Sequence, residues 1–228
     1  MNWREPVIDY CERLDGGFWA EPANALTNAA FLIAAVAAFV SWRRRGAADG
    51  PVLALILVTA GVGVGSFVFH TLATRGAMLL DVIPIAVFIY GYFLLALRRF
   101  FGLGAWAAAA VTIGFAAGAY LIDAVASGLN GSLAYLPALG AMVCFSALLW
   151  LQSRRDAGDA PLRRRLASGL AGAALLFFVS LCFRTVDREV CALLPLGTHF
   201  LWHVLNACVL YLLLRTAMLA RAEVVSRR

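Results

Sequence analysis

Residues 51–73 read PVLALILVTAGVGVGSFVFHTLA, a run with no acid, no arginine and a single histidine at its far end. An apolar helix of about 20 residues crosses the roughly 30 Å hydrocarbon layer of a bilayer, so this stretch is read as a membrane span. Working outward from it, six more apolar segments follow the same rule, at 24–42, 78–98, 103–124, 132–152, 165–184 and 197–219. The breaks between them are mostly short and carry Gly, Pro, Asp or Arg, which makes successive spans antiparallel neighbours. The reading is an all-α, polytopic seven-transmembrane-helix bundle forming a single domain. Residues 1–23 precede it, 24–219 hold the seven helices, and 220–228 form a tail.

Composition points the same way. Of 228 residues, 63% are hydrophobic and 14% charged, which excludes a water-soluble enzyme. The net charge of +6 comes from 19 basic residues, all arginine, in short clusters between apolar runs. That distribution argues against nucleic-acid binding. The first 23 residues carry acids, Pro and Gly and no apolar stretch of signal-peptide type. Arginines collect after segments one, three and five and at the C-terminal end (Arg43, Arg44, Arg45, Arg98, Arg99, Arg154, Arg155, Arg163, Arg164, Arg165, Arg215, Arg221, Arg227 and Arg228). The opposite side has Arg4, Arg13, Arg75, Arg184 and Arg188. The positive-inside rule then places the C-terminus in the cytoplasm and the N-terminus outside. The absence of lysine suggests a GC-rich, bacterial genome and hence an inner membrane with its outer face toward the periplasm. Cys11 and Cys191 fall on the non-cytoplasmic side, where they either pair or stay free thiols.

The chain has three histidines, and each lies near the non-cytoplasmic end of a span: His70 late in segment two, His199 and His203 early in segment seven. His199 and His203 are one helical turn apart, so both imidazoles reach one ion, with His70 as a candidate third ligand. Asp81 opens segment three at the same depth, where a carboxylate needs a partner or a wet cavity. Ser66 shares the face of His70, one turn away. Three histidines and an open fourth position describe a catalytic zinc site. HFLWH lacks the glutamate of HExxH, which leaves Asp81 as the candidate base and Ser66 as the candidate oxyanion donor. GVGVGS, residues 61–66, is read as small residues for close helix approach, not as a phosphate loop. Phe67, Phe69, Phe200 and Trp202 either shape a cavity for acyl chains or face lipid. Asp9, Glu12, Asp15 and Glu21 crowd before the first span and read either as hard ligands for calcium or as an exposed interfacial segment with Trp3, Tyr10 and Trp19 as anchors. Asn24 and Asn28, one turn apart, cap that segment or bridge helices.

The stretches IDYCE (8–12), EPANALTN (21–28), GSFVFH (65–70), LLDVIP (79–84) and RTVDREVC followed by GTHFLWHVLNA resemble the alkaline ceramidase family over nearly the whole chain. That family belongs to the CREST superfamily of seven-helix membrane hydrolases, which also holds the adiponectin and progestin receptors. The resemblance implies zinc on His70, His199 and His203, Asp81 as proton shuttle, and Ser66 assisting at the oxyanion. It also implies calcium on Asp9, Glu12, Glu21 and the Tyr10 carbonyl, with Asp15 standing in for an absent asparagine, and a Cys11–Cys191 disulfide. The expected activity is cleavage of ceramide, a long-chain N-acyl lipid, to a sphingoid base and a fatty acid. Alternatives are hydrolysis of another N-acyl or ester lipid, or a zinc-containing lipid receptor. A haem or proton-carrying protein leaves the Ser66 and Asp81 spacing unexplained.

Overall fold

The computed structural model describes residues 2–125 and 128–226; Arg227 and Arg228 of the expected tail lie outside them. Its helices are α1 (Pro22–Thr27), α2 (Ala29–Arg44), α3 (Gly50–Leu72), α4 (Arg75–Phe100), α5 (Ala105–Val125), α6 (Leu136–Arg155), α7 (Ala160–Val186) and α8 (His199–Ser226). Among the described residues there is no strand, and seven helical stretches are long and apolar enough to cross a membrane, with α1 and α2 forming the first. This is a multi-pass membrane architecture.

Four spans depart from the expected limits. The first is interrupted at Asn28, where the amide bonds three residues back to Ala25. Gly63 of α3 faces this point, and a Cβ there would lie 3.1 Å from the Asn28 carbonyl oxygen. The fifth begins with a 3-10 turn, Leu129–Tyr135, in which Asn130 and Gly131 have positive φ; the α-helix starts only where Pro137 supplies a favourable first turn. The sixth begins at Ala160 instead of 165, because Pro161 is tolerated in a first turn, and Arg163 then reaches Asp156 and Asp159. The seventh continues past 219 to Ser226.

Helices α3 and α4 pack closely, as do α6, α7 and α8, while α2 lies between α3 and α8. The α5 helix sits at the edge against α4, which explains its almost complete exposure. The main core runs through Trp42, Phe88, Tyr92, Leu149, Leu170, Phe177, Trp202 and Leu214. Short links set the helix ends. Ala73 takes the left-handed conformation (φ 43°) to close α3, and the Thr74 hydroxyl accepts from the Ala77 amide to open α4. The N-terminal segment lies across this turn, with Val7 donating to the Ala73 carbonyl and Arg75 and Gly76 donating to those of Glu5 and Trp3.

The two ends of the bundle differ in chemistry. At one, Asp49 caps α3 and takes a two-pronged bond from Arg99 (2.9 Å on each nitrogen), which also donates to the Ala217 carbonyl, while Arg221 approaches at 3.3 Å. The other end holds the histidines.

Candidate metal centre and active site

Each histidine of the cluster is turned by its backbone and steadied by a second group. Asp187, fully buried, accepts from the amides of Thr198 (2.6 Å) and His199 (2.9 Å), so its carboxylate caps α8 at the residue that carries the first imidazole. Gly197 precedes it with φ +68°, and any Cβ at that position would collide with the Asp187 carboxylate. One turn along α8, the Nδ1 of His203 lies 3.1 Å from the Thr27 hydroxyl. That hydroxyl donates to the Ala23 carbonyl, so it accepts from Nδ1–H and leaves Nε2 of His203 without a proton. On α3, the Nδ1 of His70 is 2.6 Å from the Glu21 carboxylate, which fixes the same tautomer.

His70, His199 and His203 are all buried, and each offers a donor atom within 4.8 Å of the others. Nε2 of His70 and Nδ1 of His199 are buried with no hydrogen-bond partner. Core histidines that serve only packing satisfy their ring nitrogens, because an unpaired buried polar atom costs about 1–3 kcal/mol. Three converging imidazoles, two of them with an unpartnered ring nitrogen, fit a zinc ion as a ligand set.

Asp81 and Ser66 stand beside this cluster. Gly65 brings them together: a Cβ there would overlap the Leu80 carbonyl, so α3 and α4 touch backbone to backbone one residue from each. The Ser66 hydroxyl and the Asp81 carboxylate are near enough to interact. Both, with His203 and Trp202, line a long apolar cavity that continues past Phe31, Ile85, Phe88, Tyr92 and Phe177 into the bundle. Of the four aromatics expected to shape an acyl cavity, only Trp202 does so. Phe69 packs on Tyr10 and His70, Phe67 meets Trp19, and Phe200 is absent from the lining.

The acidic segment does not form the calcium site expected from its resemblance. Asp9 pairs with Arg188 at 2.5 Å, and Glu12 accepts the amides of Ala23 and Asn24 at the start of α1. Asp15 turns back to the Gly17 amide, and the Tyr10 carbonyl accepts from Arg13 within a turn. Glu21 bonds Arg13, His70 and Asn24. Among the described residues, the three histidines are the one group of metal-ligating side chains that converges. The oxygens proposed for calcium are dispersed and already engaged, so they do not fit that ion. Burial alone would raise the Glu21 carboxyl, but the bonds from His70, Arg13 and Asn24 outweigh it and hold the group below the usual range.

Cys11 and Cys191 are joined by a disulfide, and Asp187 ties the same junction by accepting from the Cys11 amide (3.2 Å). Three participants escaped the sequence reading. Tyr10, expected as an interfacial anchor or a carbonyl ligand, instead stacks its ring on His199 with centroids 3.8 Å apart; burial pushes its hydroxyl up to about 12. Arg184 packs over the rings of Tyr135 and Trp202, which line the cavity, and Arg13 is buried against Glu21. Arg13 sits in a polar stretch with no periodic signal, whereas Arg184 closes an apolar span, where a charge in need of a partner is the one mark the sequence carries.

Fold and site together define a multi-pass membrane protein with a polar, histidine-lined centre buried at one end of an apolar cavity. The family model described as Ceramidase matches residues 5–228, nearly the whole chain. The chain belongs to the Ceramidase family, and is thus a hydrolase acting on the amide bond of ceramide. A search of curated proteins returned no match.

Proposed function

We propose that this protein is a zinc-dependent intramembrane ceramidase, with His70, His199 and His203 holding the metal, Asp81 moving the proton and Ser66 steadying the reacting carbonyl. The observation that carries this reading is the convergence of three buried histidines, two with an unpartnered ring nitrogen and the third, His203, lining an apolar cavity beside a carboxylate and a hydroxyl. When bound, zinc supplies Lewis-acid polarisation of a carbonyl and makes water a stronger acid. The acyl chain lies along the cavity between Phe31, Phe88 and Phe177, which leaves the amide at the polar end. Asp81 accepts the proton of the attacking water and returns it to the amide nitrogen, so that the C–N bond breaks to a fatty acid and a free sphingoid amine. Ser66, which rests against Asp81, turns its O–H to the carbonyl oxygen as negative charge develops there. Tyr10, over His199, keeps bulk water from the open side.

We place the histidine end on the non-cytoplasmic face, periplasmic in a bacterium. Two independent features support this: the arginine clusters lie at the opposite end, and the Cys11–Cys191 pair belongs to an oxidising compartment.

The test is metal analysis of the purified protein, with mass spectrometry after incubation with a panel of N-acyl lipids. Asp81→Asn is expected to keep zinc and lose about 10²- to 10⁴-fold in hydrolysis, the usual worth of a positioned acid–base group. His203→Ala is expected to lose both. Full activity in either variant sinks the assignment.

A further inference from the structure

Arg13 is only 3% exposed, within the segment expected to hold a cation. Its Nε meets Glu21 Oε1, its Nη1 donates to the carbonyls of Asp15 (3.2 Å) and Gly17 (3.4 Å), and its Nη2 donates to the carbonyl of His70 itself (2.9 Å). One carboxylate and three carbonyls make an all-oxygen cage of the kind a hard cation takes, and the guanidinium fills it. The second oxygen of Glu21 meanwhile takes Nδ1 of His70 and the side-chain Nδ2 of Asn24. Arg13 therefore grips His70 twice, once through Glu21 to the ring and once at the backbone.

We propose that Arg13 is a positioning residue of the histidine centre: a fixed internal cation that locks Glu21 onto His70 and closes the N-terminal segment over the site without an added divalent ion. This rests on the reading of the three histidines as a metal centre. A planar fork suits the task, because it reaches a carboxylate and several carbonyls at once from a single rigid group. Groups that orient a ligating histidine typically change metal affinity 10- to 100-fold when removed. If Arg13 and Glu21 act along one chain, breaking either link has the same consequence, and breaking both adds little.

The experiment measures zinc affinity by competition with a chromophoric chelator, and the visible spectrum of the cobalt-substituted protein, for wild type, R13Q, E21Q and R13Q/E21Q. Expected are about 10- to 100-fold weaker zinc binding in each single variant, no more than a few-fold further loss in the double, and the same altered cobalt spectrum in all three. In parallel, the thermal midpoint and ceramide hydrolysis of wild type are compared in calcium-free buffer with and without millimolar calcium chloride, with no difference expected. R13Q binding zinc as tightly as wild type, or losses that multiply in the double variant, overturn the proposal. So does a calcium-dependent midpoint in wild type, a reading that needs no variant to fold. A wild-type chain that takes up no zinc defeats the metal reading and this inference with it, whereas zinc bound equally by wild type and R13Q defeats this inference alone.

Discussion

Two acceptors, Glu21 and Thr27, decide which ring nitrogens His70 and His203 present to the centre of the cluster. Each takes the Nδ1–H and leaves Nε2 as the lone-pair donor, so the imidazoles are held in a ligating tautomer before any ion arrives. The Thr27 contribution can be isolated, because valine keeps the shape of the side chain and removes the oxygen. Thr27→Val is expected to weaken zinc binding by about 10-fold while the helical circular dichroism stays unchanged. Chelator competition checks it, and an affinity equal to wild type would show that Thr27 only packs. Three of these residues were legible in advance: His70, His199 and His203 stand out because histidine is otherwise absent from the chain. Thr27 and Glu21 were not legible as partners, since their meetings with histidines 176 and 49 residues away are made by packing alone.

The pair α3 and α4 forms the working element of the site. Pro84 lacks the amide that would bond the Leu80 carbonyl one turn back, and that same carbonyl is the group lying against Gly65. A side chain at residue 65 would therefore push on backbone, which yields far less readily than a flexible side chain. Gly65→Ala is expected to cost about 1–3 kcal/mol of stability by overpacking. It should also lower kcat with zinc content retained, because Asp81 shifts away from Ser66 while the ligands on α8 stay put. Metal stoichiometry and kcat on the same preparation check this; wild-type turnover would show that the close contact does not set Asp81. The reading of GVGVGS as a packing stretch foretells the kind of contact and not its address. Gly63 and Gly65 make close approaches, whereas a Cβ at Gly61 meets open space.

On the scale of the molecule, the fold is fastened at both ends and apolar between. One end is tied by Asp49, Arg99 and Arg221, the other by the disulfide, which joins residues 180 positions apart, and by Asp187; both hold the N-terminal segment over the histidines. Removing the covalent tie frees a very long loop in the unfolded chain. The Cys11→Ser/Cys191→Ser double variant is expected to lose about 2–5 kcal/mol of stability, read as a lower thermal midpoint. A reductant should lower the wild-type midpoint in the same way and leave the double variant unaffected. A reductant that lowers both equally would assign the effect to something other than this bond.

The sequence alone determined the number of spans, the all-helical class, and the shared face of His199 and His203, because hydrophobic length and helical periodicity are local properties of a segment. The resemblance also named the cysteine pair that the structure joins. Tertiary structure alone decided which faces meet. Lipid is as apolar as leucine, so a membrane helix carries no strong polar stripe to announce its outward side, and its neighbours are chosen by shape and by scattered polar contacts. That is why the convergence of His70 with α8, the diversion of the acidic segment to protein partners, and the burial of Arg13 could be seen only once the helices were packed.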